Sequence, residues 1–175
     1  MFNKELIQYK KTENFIKVKY NDTILNINIS STRIPFGVKK LSFNNKSNYN
    51  IQISIDDKYD NLKRLLIFIT DLENDVKDLT SEDKTFEDKR FISRIYYSNN
   101  APLITLDIKE NTLFTDKNNN KLILEDYINR CFISRISFSY VGIYVGNKNF
   151  GLSLKIDEIV VDINKEQNKI TTLYF

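Results

Sequence analysis

Apolar and polar residues alternate along most of this chain, the period of a strand with one face buried. Within 23–31, Leu25, Ile27 and Ile29 alternate with Asn26, Asn28 and Ser30. Residues 49–55 repeat the pattern, with Ile51, Ile53 and Ile55 set against Gln52 and Ser54. Phe132, Ile136, Phe138 and Tyr140 alternate in the same way with Arg135, Ser137 and Ser139. A long strand is expected over 152–163, and shorter ones over 15–20, 91–97, 103–108 and 169–174. One segment breaks the period. Leu62, Leu65, Leu66, Ile69, Leu72, Val76 and Leu79 recur at helical spacing, which predicts a helix over about 59–79 capped by Asp56 and Asp57. A second, short helix is expected over 124–129. Turn signals fall at 35–37, 44–50, 98–102, 116–120 and 146–149.

The order is strands, one long helix, then more strands, joined as antiparallel hairpins. This is a mainly β chain of the α+β class. A helix inserted midway through a Greek-key sheet points to an elaborated antiparallel barrel of the oligonucleotide/oligosaccharide-binding (OB) kind. At least seven strands are expected, more than the five of a minimal barrel, and a β-sandwich gives a similar string. No repeat or linker divides the 175 residues, so 1–175 reads as one domain.

Charge sharpens this picture. The windows 23–55, 89–106 and 127–156 contain no Asp or Glu, although the chain carries 23 acids. They hold five of the six arginines, Arg33, Arg90, Arg94, Arg130 and Arg135, and many aromatics. Asn, Ile, Lys, Phe and Tyr make up about half the chain, and AT-rich codons encode all five, so lysine abundance reports genome composition as much as binding. Arginine is the better reporter, because its planar fork suits phosphates and bases. Residues 71–88 carry eight acids against Lys77 and Lys84, so an acidic element is set apart from a basic body.

Much chemistry is absent. There is no histidine, which removes the commonest general base and the usual triads. With one cysteine there is no zinc set and no internal disulfide, and Cys131 reads as a small core residue. No glycine-rich phosphate loop occurs, and no cofactor is expected. The N-terminus lacks a signal-peptide core and no run of 18 apolar residues exists, so a cytoplasmic protein without a membrane partner is expected. Asp107-Ile108-Lys109 has the D-x-K form of some metal-dependent nucleases, with Asp88 or Asp157 available as a second acid.

Cationic segments laced with aromatics and cleared of carboxylates suit a polyanion with exposed flat bases, which is single-stranded nucleic acid. Two stretches carry the pattern. In Arg33-Ile34-Pro35-Phe36-Gly37-Val38-Lys39-Lys40 a turn presents Phe36 between basic residues. The second is a hairpin over 132–159 that contains Tyr144, Phe150 and Lys155. The expected nucleic-acid contacts are Arg33, Phe36, Lys39, Lys40, Tyr49, Arg90, Arg94, Tyr97, Arg135, Tyr144, Phe150 and Lys155.

At these two stretches the chain resembles a family. The R-x-P-F-G-V turn and the later Y-V-G-x-x-x-F-G-L-S-L-K-I-x-x-I-V hairpin look like the single-stranded DNA-binding proteins of large cytoplasmic DNA viruses. That family includes the poxvirus type, and the virus-like linear plasmids of yeast cytoplasm encode related small versions. The similarity lies mostly at 33–55 and 132–161. It implies a non-enzymatic protein that coats and protects exposed strands during DNA replication with little sequence preference. Replication proteins and further copies of the chain are the implied partners, the latter through apolar edges such as 173–175. The chain departs from the family in having no tryptophan, Tyr144 standing where Trp is common, and no acidic C-terminal tail. The competing readings are a structural β-sandwich protein of a virus-like element and a metal-dependent nuclease at Asp107 and Lys109.

Overall fold

The computed structural model of the protein describes residues 7–162 except 13, 14, 21, 22, 44, 45, 57 and 100. The expected strand at 169–174, the apolar end at 173–175 and the cap at Asp57 lie outside the described residues. Among the described residues, ten strands form a single sheet with one α-helix: β1 (Ile7–Thr12), β2 (Phe15–Tyr20), β3 (Leu25–Ile34), β4 (Val38–Phe43), β5 (Lys46–Ser54), α1 (Asp60–Thr80), β6 (Arg90–Phe91), β7 (Ile95–Tyr97), β8 (Pro102–Asp116), β9 (Phe132–Val145) and β10 (Asn149–Val161). The hydrogen-bonded path runs β1-β2-β9-β10-β8-β5-β4, with β3 on β9, β6 on β10 and β7 on β8. The sheet is open, since this path does not return on itself among the described residues.

Alternation sets which face is dry. Ile51 and Ile53 of β5, Ile104 and Leu106 of β8, Ile136 and Phe138 of β9, and Leu152 and Leu154 of β10 are fully buried on one side. The helix α1 contributes Leu62, Leu65, Ile69, Leu72 and Val76 to the same core, so its apolar stripe covers what the strands leave open. The residues between these on each strand face the other way, and they form the surface described below.

Four expectations are corrected. The sheet is not wholly antiparallel: β10 runs parallel to β8 and to β6. The β9–β10 hairpin returns β10 between β9 and β8, and side-chain period cannot register that docking. The strand expected at 91–97 is two strands, because Glu73 of α1 takes hydrogen bonds from Ser93 Oγ and from the Arg94 N–H in the gap between them. Asp56 does not cap the helix. It accepts from the Lys58 N–H at 3.0 Å, and the cap position is Tyr59, without a side-chain hydrogen bond. Finally, the expected second helix is a single 3₁₀ turn over Leu124–Tyr127.

Strand β8 carries an excursion. Ile108 pairs with Ile156 and Leu113 with Glu158, so residues 109–112 stand opposite Asp157 alone. The Thr112 hydroxyl pins the bulge by donating to the Ile156 carbonyl at 2.7 Å and accepting from the Lys109 N–H at 2.9 Å.

Candidate nucleic-acid interface

The outer face of the sheet, opposite the core, is built on one register row. Lys39 of β4 pairs with Asn50 of β5, Asn50 with Asp107 of β8, Asp107 with Lys155 of β10, Lys155 with Ser139 of β9, and Ser139 with Asn26 of β3. Six strands at about 4.8 Å spacing make this row about 24 Å long. It is polar throughout. Ser139 Oγ lies 2.6 Å from the Asn26 amide and 2.6 Å from Asp157 Oδ2. Beside it runs a second hydrogen-bonded line, in which Lys39 Nζ donates to Gln52 Oε1 at 2.6 Å and Gln52 Nε2 donates to Thr105 Oγ1 at 3.3 Å.

Two aromatics of this face, Tyr144 and Phe15, each sit where a neighbouring strand has a glycine. Tyr144 of β9 pairs with Gly151 of β10, and a Cβ at Gly151 would lie 3.2 Å from the Tyr144 ring and 2.6 Å from the Ile92 carbonyl. Phe15 of β2 pairs with Tyr144, and its ring fills the space over Gly142, where a Cβ would lie 2.9 Å away. Gly142 also has φ +147, a conformation that other residues rarely adopt. Glycines inside strands here seat rings close to the backbone.

Arg94 lies across the same surface. Its Nε donates to the Leu152 carbonyl at 2.6 Å, and its two terminal nitrogens form a fork on Asp107 at 3.1 and 2.9 Å. Its side chain is only 12% exposed, and Cζ stands 5.6 Å from the Tyr144 ring centroid. Burial pushes the Tyr144 hydroxyl pKa up, the Arg94 charge pulls it down, and Asp107 raises it.

The twelve expected contacts divide accordingly. Lys39, Arg94, Tyr144 and Lys155 are gathered on the outer face. Phe36 joins them from the β3–β4 turn, 48% exposed, with Lys39 Nζ 4.9 Å above its ring. Gly37 closes that turn at φ +65, packed on the Tyr127 and Arg130 backbone too closely to admit a Cβ. Lys40 and Tyr49 lie on the opposite side, because consecutive strand residues alternate. Tyr49 packs against the core, and its hydroxyl donates to Glu125 at 3.2 Å.

Phe150 is not a platform. It is 6% exposed and meets Phe86 and Phe91 edge-on at 4.8 and 5.4 Å between centroids. Its position after the turn offered exposure, but β6 pairs alongside β10 there and buries the ring. Arg33, Arg90, Arg135 and Tyr97 are exposed but stand apart from the row. Arg33 Nε lies 3.5 Å from the sulfur of Cys131, which is exposed and not part of the core. Arg135 approaches Glu158 at 3.8 Å.

Sequence reading missed Lys17, exposed on β2 opposite Gly142, and also Phe15, Gln52 and Thr105. The polar members of the alternating strands were their only signal. Acid-free windows in sequence are also not acid-free in space, since Asp107 sits in the middle of the row. Both of its carboxylate oxygens are engaged by Arg94, so its D-x-K context serves an ion pair. Among the described residues, no group of three or more His, Cys, Asp or Glu side chains is gathered for a metal. No helix is long and apolar enough to cross a membrane.

A groove of about 1120 Å³ continues from this face. Lys155, Ser139 and Asp157 form one wall, the 109–112 bulge another, and Lys121 and Ile123 the rim.

No protein-family model matches the chain, and no curated protein matches it in sequence. Solved structures do match in fold. The single-stranded DNA-binding protein gp2.5 encoded by bacteriophage T7 superposes with a TM-score of 0.54 at 10% identity, over 87% of this chain and 98% of its own. The single-stranded DNA-binding protein of bacteriophage Enc34, in complex with single-stranded DNA, gives 0.53 at 11% identity, over 91% and 96%. Its C-terminal truncation gives 0.52 at 11% identity. At these identities the likeness is one of fold: a mostly β sheet with one helix, shared with phage single-stranded DNA-binding proteins over nearly their whole length.

Proposed function

We propose that this chain is a single-stranded DNA-binding protein that engages the strand on the outer face of its sheet. The observation that carries the reading is the row of polar and cationic side chains crossing six strands, with Tyr144 seated beside it. Lysines of the row take phosphates, and the aromatics take bases, a combination that tolerates any sequence. The fold likeness to the phage proteins, one of them described in complex with single-stranded DNA, supports it. We read the whole chain as one OB-type domain that acts without catalysis and without a cofactor. It would coat strands exposed in replication, in the cytoplasm, alongside further copies of itself and replication proteins. Kinship to the poxvirus and linear-plasmid proteins rests on the residues at 33–55 and 132–161.

The test is a titration of fluorescent oligo-dT and of duplex DNA at two salt concentrations, with and without Mg²⁺. Single strands are expected to bind more tightly than duplex, more weakly at high salt, and without cleavage. Equal affinity for the two forms, or indifference to salt, would sink the reading.

A further inference from the structure

Resting on the single-stranded DNA reading, we propose that Arg94 is not a phosphate ligand but a positioning residue that makes Tyr144 a base-stacking subsite, with Asp107 cancelling its charge. An arginine at the centre of a nucleic-acid face is ordinarily assigned to a phosphate, and here the geometry opposes that. Three of the five N–H donors of the guanidinium are committed, and the side chain is only 12% exposed. One N–H is spent on the Leu152 carbonyl, and the two terminal nitrogens grip the two oxygens of Asp107 in the planar fork such a pair favours. To reach a phosphate Arg94 would have to abandon a mostly buried carboxylate, which costs more than an exposed contact to phosphate returns.

The backbone of Arg94 is held as firmly as its head. Its N–H donates to Glu73, a buried carboxylate of α1 that also accepts from Ser93 Oγ at 2.8 Å. The Arg94 carbonyl accepts from the Thr105 N–H at 2.9 Å. The side chain is thus anchored at both ends, and between them it passes over Tyr144. Gly151 sets the ring's seat on the neighbouring strand. An aromatic seated against a glycine and braced by a neutralised arginine whose Cζ stands 5.6 Å from its centroid is pre-organised, so a base meets a ring already in place. Lys155, on the neighbouring strand β10 and paired with Asp107 in the row, stands ready for the phosphate next to that base, and Lys39 lies three strands further along the row on β4. The surface then presents a base subsite at β9 and phosphate subsites at β10 and β4 in order across the sheet, with Glu73, Arg94 and Asp107 as the scaffold of the base subsite.

Salt dependence separates the two roles, because each phosphate contact adds about 0.7 to the slope of log affinity against log salt, and stacking adds nothing. For oligo-dT, Lys155→Ala is expected to lower the slope by about 0.7. Arg94→Gln is expected to weaken binding while leaving the slope unchanged. Tyr144→Ala is expected to weaken binding between about 5- and 150-fold, and adding Arg94→Gln to it should cost almost nothing further, since the ring it positions is gone. The chain has no tryptophan, so Tyr144→Trp installs a unique fluorophore at the subsite. Its emission should be quenched when oligo-dT stacks on it, and less so when Arg94→Gln is added.

Arg94→Lys covers the case in which Arg94→Gln does not fold. It keeps the charge but not the fork, and should weaken binding as Arg94→Gln does. A slope that falls by about 0.7 in either Arg94 variant, full additivity of Arg94→Gln with Tyr144→Ala, or an unquenched tryptophan in a protein that binds oligo-dT would overturn this assignment and leave the DNA-binding reading standing. An unaltered protein that ignores oligo-dT would overturn both together.

Discussion

Replacing Lys17, Lys39 and Lys155 together with alanine removes three cations from the outer face without opening the core. Lys17 is exposed, and Lys39 and Lys155 lie at the edge of burial. None of the three is paired with a carboxylate among the described residues, in contrast to Arg94, Arg135 and Lys117. If each meets one phosphate, each contributes about 0.7 to the slope of log affinity against log salt, so the triple variant should lose about 2 from that slope. Between about 50 and about 200 mM salt, affinity of the unaltered protein should therefore fall by about 18-fold more than that of the variant. The deficit of the variant is greatest at low salt and closes as salt rises. Fluorescence anisotropy of labelled oligo-dT across four or five salt concentrations reads both slopes directly. Lys63→Ala is the control, an exposed lysine on α1 away from this face, and should leave the slope alone. Parallel log–log lines for the triple variant and the unaltered protein would refute the placement of phosphates on this face, whatever the change in absolute affinity.

Phe150→Ala should destabilise the fold by about 3–5 kcal/mol, because the ring is buried against Phe86 and Phe91. Urea unfolding measures it, and a loss under about 1 kcal/mol would contradict core packing there. The Asp83 carboxyl is held down to about 2, chiefly by the hydrogen bond from Lys11 and then by those from Thr85. Since its ordinary value is 3.8, its contribution to stability is present above that pH and is lost as pH falls towards about 2. A carbon-detected NMR titration should find the low midpoint, and Lys11→Met should move it up towards the ordinary value.

Alternation alone placed most strands of this protein, because burial of one face leaves a period of two that later packing does not erase. Helical spacing placed α1 within a residue at each end. The turn at Pro35-Phe36-Gly37 was also legible, since proline and glycine restrict the backbone wherever they stand. The same local physics singled out Lys39, Tyr144 and Lys155. What remained hidden depended on which strand docks beside which. Phe150 reads as a turn aromatic until β6 lies alongside it. Lys40 reads as a partner of Lys39 until alternation is combined with knowledge of which face is dry. Arg94 and Asp107, thirteen residues apart, become an ion pair only because Glu73 of α1 breaks the strand between Phe91 and Ile95 and β8 runs beneath the gap.

The sequence by itself determined most of the strands but not β1 or β4, and it determined the long helix, the lack of histidine chemistry and the presence of cationic segments laced with aromatics. Only the tertiary structure decided which cations remain available and which carry a carboxylate partner. Chain segments free of acids do not make a surface free of acids, because the register of a sheet brings together residues that no window contains. Asp107 lies one residue beyond such a window and at the centre of the row, where it converts an apparent phosphate ligand into the support of an aromatic ring.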